Sequence, residues 1–341
     1  MQMRDDLGIT TKLENGKAYL EFALPEKIGR LLSALQIEIW EGAEGERLVF
    51  HGEYSSEEAD SMTALLLRPH LWDGMRDPYV YLVKAQGRFR SVEYGEKMGG
   101  MEKEEKLDPA EDITGEVEMY WQQELAIYDV HVIDKKGIFL NEKEFLPHEV
   151  VYRLPPQISD AGTRVEQVRR DLERLVRMGV NAIRLEGTGT GAEGVNCSEV
   201  RTFYSLCRKR GFLTGDLWIR PENLPVYRGL PGETTCQALL AADGRTLTER
   251  YYYYQAKWSS EPVLYPVLST LHRQENGLLS LTIYSNQKKV VLYVDGVLFL
   301  FQSAASGDPE FIFEDIPVAK LPLHLAAEAG NLSISLTVSK I

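Results

Sequence analysis

The spacing of apolar residues changes once along this chain and then changes back, which confines it to a β, then α/β, then β succession. Over residues 9–94, short segments at 9–13, 17–24, 35–40, 48–51, 63–67 and 79–85 are rich in β-branched or aromatic residues and are bounded by Gly, Pro or charge clusters. In the second of them Ala18, Leu20 and Phe22 contrast with Tyr19 and Glu21, the period of two that puts one strand face in a core. Such spacing predicts a sandwich of the immunoglobulin kind. Residues 95–116 are heavy in Gly, Glu and Lys and read as a solvated loop or a long hairpin; strand character resumes over 117–133.

From Phe145 the period lengthens. Residues 150–154 suit a strand, Pro155-Pro156 a turn, and Thr163 with Glu166 has the spacing of a capping box at a helix start. Val165, Val168, Leu172, Leu175 and Val176 form one apolar stripe, with Glu166/Arg170 and Glu173/Arg177 four apart on the wet side. Gly179 stands where a left-handed cap is wanted. A strand over 180–185, a helix over 198–210 and a strand over 212–219 complete an alternation that implies parallel layering. Pro221, Pro225, Gly229, Pro231 and Gly232 then suggest a crossing segment and no further layer. Beyond the aromatic run 251–258 the pattern is β again: 290–294, a hairpin turn at Asp295-Gly296, 297–301, and an alternating final strand at 332–338. The expected domains are a β-sandwich over 1–133, a truncated (β/α) barrel over 134–260 and a second sandwich over 261–341, both sandwiches immunoglobulin-like.

Charge narrows the partners. A formal net charge of -13 and a pI near 5.1 argue against nucleic acid and anionic membrane, because affinity for polyanions comes from Lys and Arg neutralising phosphates. The first residues lack the apolar core of a signal peptide, and no stretch reaches the roughly 18 apolar residues that cross a bilayer, so a soluble cytoplasmic protein is expected. Cys197, Cys207 and Cys236 lack C-x-x-C spacing and read as reduced, structural thiols; the six histidines show no ligand spacing. No metal site or cofactor is implied. The Gly-rich stretch 187–194 lacks the Lys-Ser/Thr of a phosphate loop, and no G-x-S-x-G elbow is present.

Four segments carry a resemblance. Leu71-Trp72-Asp73 with Asp77-Pro78-Tyr79-Val80-Tyr81, then Gly137-Ile138-Phe139-Leu140-Asn141 with Lys143, then Asp171-Leu172 with Met178-Gly179-Val180-Asn181-Ala182-Ile183-Arg184, and finally Tyr252 to Trp258 with Glu261-Pro262, Tyr284-Ser285-Asn286 and Val291 to Gly296 follow one another in the chain. In that order they resemble "LW…PxLY", "GFFLNGK", "DLxxxKxMGxNxIR" and "YYxxxxWSxEP…YSN…VELxVNG" of the family 2 glycoside hydrolases, the β-galactosidase and β-glucuronidase group. The resemblance implies a β-sandwich leading into a (β/α)8 barrel, with further sandwiches after it. It also implies two catalytic glutamates at the ends of barrel strands four and seven, the first in an Asn-Glu pair.

The chain departs from that pattern where the chemistry would be. Retaining glycosidases need two carboxyl groups roughly 5 Å apart, yet soon after the predicted third strand the sequence already resembles the family's region beyond strand eight. The single Asn-Glu pair, Asn141-Glu142, lies in the segment entering the barrel, and Glu93 lies in the first sandwich. Tyr152-Arg153 stands where the family has Arg-His. The expectation is therefore a protein without hydrolase activity that binds carbohydrate or acts in assembly, with Arg184 and Trp258 as substrate-binding candidates. Arg184 also suits a buried ion pair with Glu186 or the third strand, and the Tyr251 to Tyr254 run suits packing at a domain joint. Two routes to β-glycosidase activity stay open: a second copy or partner chain completing an open barrel edge, or an unrelated carboxylate pair of Glu186 with Asp216 or Glu222 at the strand ends.

Overall fold

The computed structural model describes residues 7–92, 113–155, 161–186, 197–215, 224–230, 238–305 and 307–340. It divides into two compact units, Met1–Leu146 and Pro147–Ile341. The boundary expected after residue 133 falls in the β8–β9 turn described below, and the one expected after residue 260 falls inside the second unit.

In the first unit, β1 (Gly8–Glu14), β2 (Lys17–Ala23) and β5 (Thr63–Leu67) form one antiparallel sheet, and β4 (Arg47–Ser55), β3 (Leu32–Glu41), β6 (Tyr81–Val92) and β7 (Ile113–Leu125) form another, in those orders. The short helix α1 (Glu26–Gly29) joins β2 to β3. Ala18, Leu20 and Phe22 are buried, as their alternation predicts, and they share a core with Leu35, Ile37, Ile39, Val83 and Ala85 of the second sheet. Asn15 and Gly16 both take positive φ, 51° and 71°, the tight β1–β2 turn their sequence favours. β6 and β7 pair from Tyr81↔Leu125 to Val92↔Ile113, the long hairpin alternative for 95–116; its connecting residues, with Glu93, lie outside the described residues. A third sheet runs β10 (Lys143–Phe145), β9 (Gly137–Leu140), β8 (Val130–Ile133).

The second unit opens with β11 (Glu149–Tyr152), α2 (Ala161–Met178), β12 (Ala182–Leu185), α3 (Cys197–Lys209) and β13 (Leu213–Thr214). Helix α2 buries Val168, Leu172, Leu175 and Met178. Its stripe ends on Met178, and Val176 stays 39% exposed, because positions three and four apart line the buried face. The helix starts at Ala161, so Thr163 lies inside its first turn. Gly179 caps it at φ 87°.

Two expectations fail here. The crossing segment contains two further parallel strands, β14 (Val226–Arg228) and β15 (Ala238–Leu240), and the sheet order is β13-β12-β11-β14-β15. Strands of three residues leave no period to read. A closed (β/α) barrel also sets its last strand beside its first, but here β14, which lies beside β11, is followed by β15 on its outer side. The edge of β11 is thus filled by β14. The outer side of β15 meets its own chain: Leu240 bridges Leu247, and the Ala241 N–H donates to the Thr246 carbonyl.

Val150, Tyr152, Ile183 and Leu185 share a core with α2 and α3, while alternation turns Glu149, Val151, Ala182 and Arg184 to the opposite sheet face. Next comes α4 (Glu249–Trp258), followed by sheets β16 (Leu264–Arg273), β17 (Leu279–Ser285), β20 (Glu310–Ile316) and β19 (Val297–Ser303), β18 (Lys289–Val294), β21 (Leu323–Ala329), β22 (Leu332–Val338). Their inner faces enclose a separate core that includes Leu281, Ile283, Leu292, Phe311, Phe313 and Leu325. The tyrosine run forms the joint. The Tyr251 hydroxyl donates to the Arg174 carbonyl, Tyr252 stacks on Tyr265 at 3.7 Å, and Tyr253 meets Tyr284 edge-on.

Candidate functional site

Strand ends carry chemistry in parallel α/β sheets because loops there converge on one rim. At the carboxyl rim Glu186 follows β12 and Arg153 follows β11. The Arg153 guanidinium donates through Nε and Nη2 to the two oxygens of Glu186, and through Nη1 to the Arg228 carbonyl at 3.3 Å. Glu186 is thus engaged by an arginine; Asp216 and Glu222, its proposed partners, lie outside the described residues.

Arg184 is engaged by a buried carboxylate. Its Nε donates to Oε1 of Glu149 at 3.1 Å, on the first parallel strand, and the Glu149 side chain is fully buried. On the helix face, Asp171 of α2 is 1% exposed and gathers three donors: the Tyr152 hydroxyl at 2.9 Å, the Tyr227 hydroxyl at 3.0 Å and Arg228 Nη2 at 2.6 Å. Burial pushes both tyrosine hydroxyls to pKa values well above their ordinary range.

Trp258 lies at the other rim. Its ring stacks on His148 at 5.1 Å and tilts against Tyr254 at 4.5 Å. His148 precedes β11, and its backbone N–H donates to the Asn181 side chain while Nδ1–H donates to the Gly179 carbonyl. Arg184 and Trp258 therefore do not converge, and Glu186 lies at the opposite end of the sheet from Trp258. Asn141 and Glu142 form the two-residue turn between β9 and β10, with φ 48° and 65°. That turn brings Glu142 beside Asp129 and His131, three possible ligand atoms within 4.8 Å that sequence spacing does not reveal. Cys207 is buried, and its thiol is pushed up in pKa by desolvation.

Sequence reasoning overlooked a polar surface in the first unit. Because Leu35, Ile37 and Ile39 of β3 face the core, Gln36, Glu38 and Trp40 face outward. The register sets Glu53, Gln36, Gln86 and Tyr120 in one row and His51, Glu38, Lys84 and Gln122 in the next. Two hollows of about 620 and 300 Å³ lie along these rows, sharing Gln36 and Gln86. Gln86 donates to the Tyr120 hydroxyl at 3.0 Å, which donates to Glu118 at 2.6 Å; Gln36 and Trp40 both donate to Glu38. Tyr120 is 67% exposed. Amides, carboxylates, cations and an exposed ring thus stand in fixed positions on a rigid sheet. The legible signal was the polar half of the same alternation that identified the core.

No family model matches the sequence, and no curated protein matches it. Solved structures do match in fold. An FMN-binding β-glucuronidase from Faecalibacterium prausnitzii L2-6 aligns with a TM-score of 0.61 at 14% identity, over 98% of this chain and 73% of its own. A β-galactosidase from Bacteroides fragilis, described as putative, gives 0.60 at 14%, over 97% and 72%. Parabacteroides merdae β-glucuronidase gives 0.61 at 10%, over 97% and 63%. A member of glycoside hydrolase family 2 from Bacteroides cellulosilyticus is also among the matches. At such identity the likeness is one of fold, and it extends along nearly the whole of this chain.

Proposed function

We propose that this chain keeps the family 2 glycoside hydrolase fold without its hydrolysis and binds carbohydrate on the outer face of β4-β3-β6-β7. The observation that carries the reading is the strand order. After β13 the chain crosses to the far side of β11, so among the described residues no strand follows β13 on its outer side, where barrel strand four with its carboxylate would stand, which supports the loss of a facing carboxylate pair. Roughly a quarter of each of the first two neighbouring chains has no counterpart here, which fits a shortened catalytic region. The carboxylates of the sheet region point the same way: Glu149, Asp171 and Glu186 each accept from an arginine, a structural use of charge.

The sheet face supplies what a hydroxyl-rich ligand needs. Gln36, Gln86 and Gln122 offer both donors and acceptors, Glu38, Glu53 and Glu118 accept, and the Tyr120 ring offers a flat apolar face to a pyranose. We read the two sandwiches as immunoglobulin-like. Aryl β-galactosides and β-glucuronides should show no turnover with the purified chain; turnover abolished by changing one of its glutamates would overturn the proposal. A screen of mono- and disaccharides should find binding that Tyr120→Ala together with Gln86→Ala weakens by about tenfold or more. Binding indifferent to both changes would remove the site.

A further inference from the structure

The second unit holds a cavity of about 400 Å³ lined by Gln167, Arg170, Asp171 and Arg174 of α2, by Arg228 at the end of β14, and by residues 242–245. The α2 residues are spaced three, four and seven apart, so one helix face presents them together. Four of the lining side chains are arginines, in a chain whose 51 acidic residues outnumber its 38 Lys and Arg. Convergence of guanidinium groups against that excess of negative charge costs Coulomb repulsion unless something resolves it.

The two carboxylates present do not resolve it. Asp171 is occupied by Arg228, Tyr152 and Tyr227, with Arg174 Nη1 at 3.5 Å. Asp243 is occupied by its own turn, accepting from the Arg245 and Thr246 N–H groups at 2.8 and 2.9 Å and from the Thr246 hydroxyl. Hydrogen bonds from Thr246 hold its pKa down at about 2, so it stays charged and fixed. Four cations against two anions leave a surplus of two positive charges. Arg228 adds an independent sign: it is 4% exposed, and its buried Nε meets no acceptor among the described residues. Gly244, at φ 69°, makes room for this group, since a Cβ there would lie 2.7 Å from Arg228 Nη1.

We propose that this cavity binds the dianionic phosphate of a phosphorylated small molecule. Guanidinium forks match phosphate oxygens in pairs, the surplus of two charges matches a phosphate dianion better than a carboxylate, and the volume lies within the range of small-molecule sites. The exposed Arg170 and Arg245 would close on the anion from solvent, with Arg228 reading it from below. The site is separate from the sheet face proposed above and does not depend on it.

The test is calorimetric titration of the full chain, at fixed ionic strength, with inorganic phosphate, glucose 6-phosphate and glucuronate. Phosphate or its ester should bind, more weakly as salt rises, and glucuronate should bind at least about tenfold less well. The Arg170→Gln/Arg245→Gln variant changes two exposed side chains, so it should keep its unliganded melting temperature while losing about tenfold or more in affinity. Gly244→Ala should weaken binding by crowding Arg228. If the sugar ester binds more tightly than inorganic phosphate, the source is a phosphorylated metabolite; equal binding assigns a free-phosphate site. Absence of binding by both, glucuronate binding as tightly as phosphate, or affinity unchanged in the double variant would overturn the proposal.

Discussion

Asp171 shows what the residues behind the resemblance do. The four similar segments supply joints. Asn141 donates to the Trp72 carbonyl while Lys143 reaches Asp73 at 2.9 Å, tying the first two segments together. Asn181 accepts from the His148 backbone, Gly179 leaves no room for a Cβ against the Trp258 carbonyl, and Asn286 accepts from the Val263 N–H and donates to the Ser259 and Glu261 carbonyls. Such residues specify a fold and say nothing of chemistry. Asp171→Asn leaves the Arg228 charge buried without its counter-ion, and the expected loss is about 3–5 kcal/mol in urea unfolding. Adding Arg228→Met should restore part of it; a single-variant loss within experimental error would refute the cluster's structural role. His148 gives a second test. Burial lowers its pKa below the ordinary 6.5, so below that pH the unfolded chain takes up the proton first. Stability should therefore be fully present above pH 6.5 and fall as pH drops through and below it. His148→Phe should flatten that slope in thermal melts taken across the range.

At the scale of elements, the β9–β10 hairpin turns on Asn141 and Glu142, both at positive φ, where an Asn-Gly pair would be the usual choice. Glu142→Gly should raise stability by about 0.5–1 kcal/mol in chemical unfolding, since glycine takes a left-handed backbone without the Cβ penalty. A loss instead would mean that the Glu142 carboxylate beside Asp129 and His131 contributes more than its backbone costs. This turn also marks how far elements could be read in advance. β2, β22 and α2 are legible because each repeats its period several times, and Asp295-Gly296 announces its turn. β14 and β15 have three residues each, below the length at which any period exists. Strand order is less legible still. Nothing in the local pattern of 224–240 says that β14 lies beside β11, a choice made by Tyr227 packing against Tyr152 and by Arg228 reaching Asp171. The candidate site suffered likewise: Arg184 and Trp258 could be picked out, but their partners, Glu149 and His148, stand far from them in sequence.

For the molecule as a whole, the cores follow the chain in blocks: one drawn from residues 7–127, one from 150–251 and one from 279–338. Within the second unit α4 packs into the second core, and two of its tyrosines also reach strands β16 and β17 of the terminal sheets. Tyr251 is buried with α2, while Tyr252 and Tyr253 lie against Tyr265 and Tyr284 of the terminal sheets, and Glu249 accepts from the Ser269 N–H at 3.0 Å. A joint of this kind couples two cores only as strongly as its few contacts. The Tyr252 stack contributes about 2 kcal/mol, from ring burial and ring pairing together. Removing it should weaken coupling more than it weakens either core. In Tyr252→Ala, hydrogen exchange of the β17 and β18 amides and of the α2 amides should report opening free energies further apart than in the parent chain. Near-equal free energies in both proteins would mean that the two cores open as one body through contacts other than these rings.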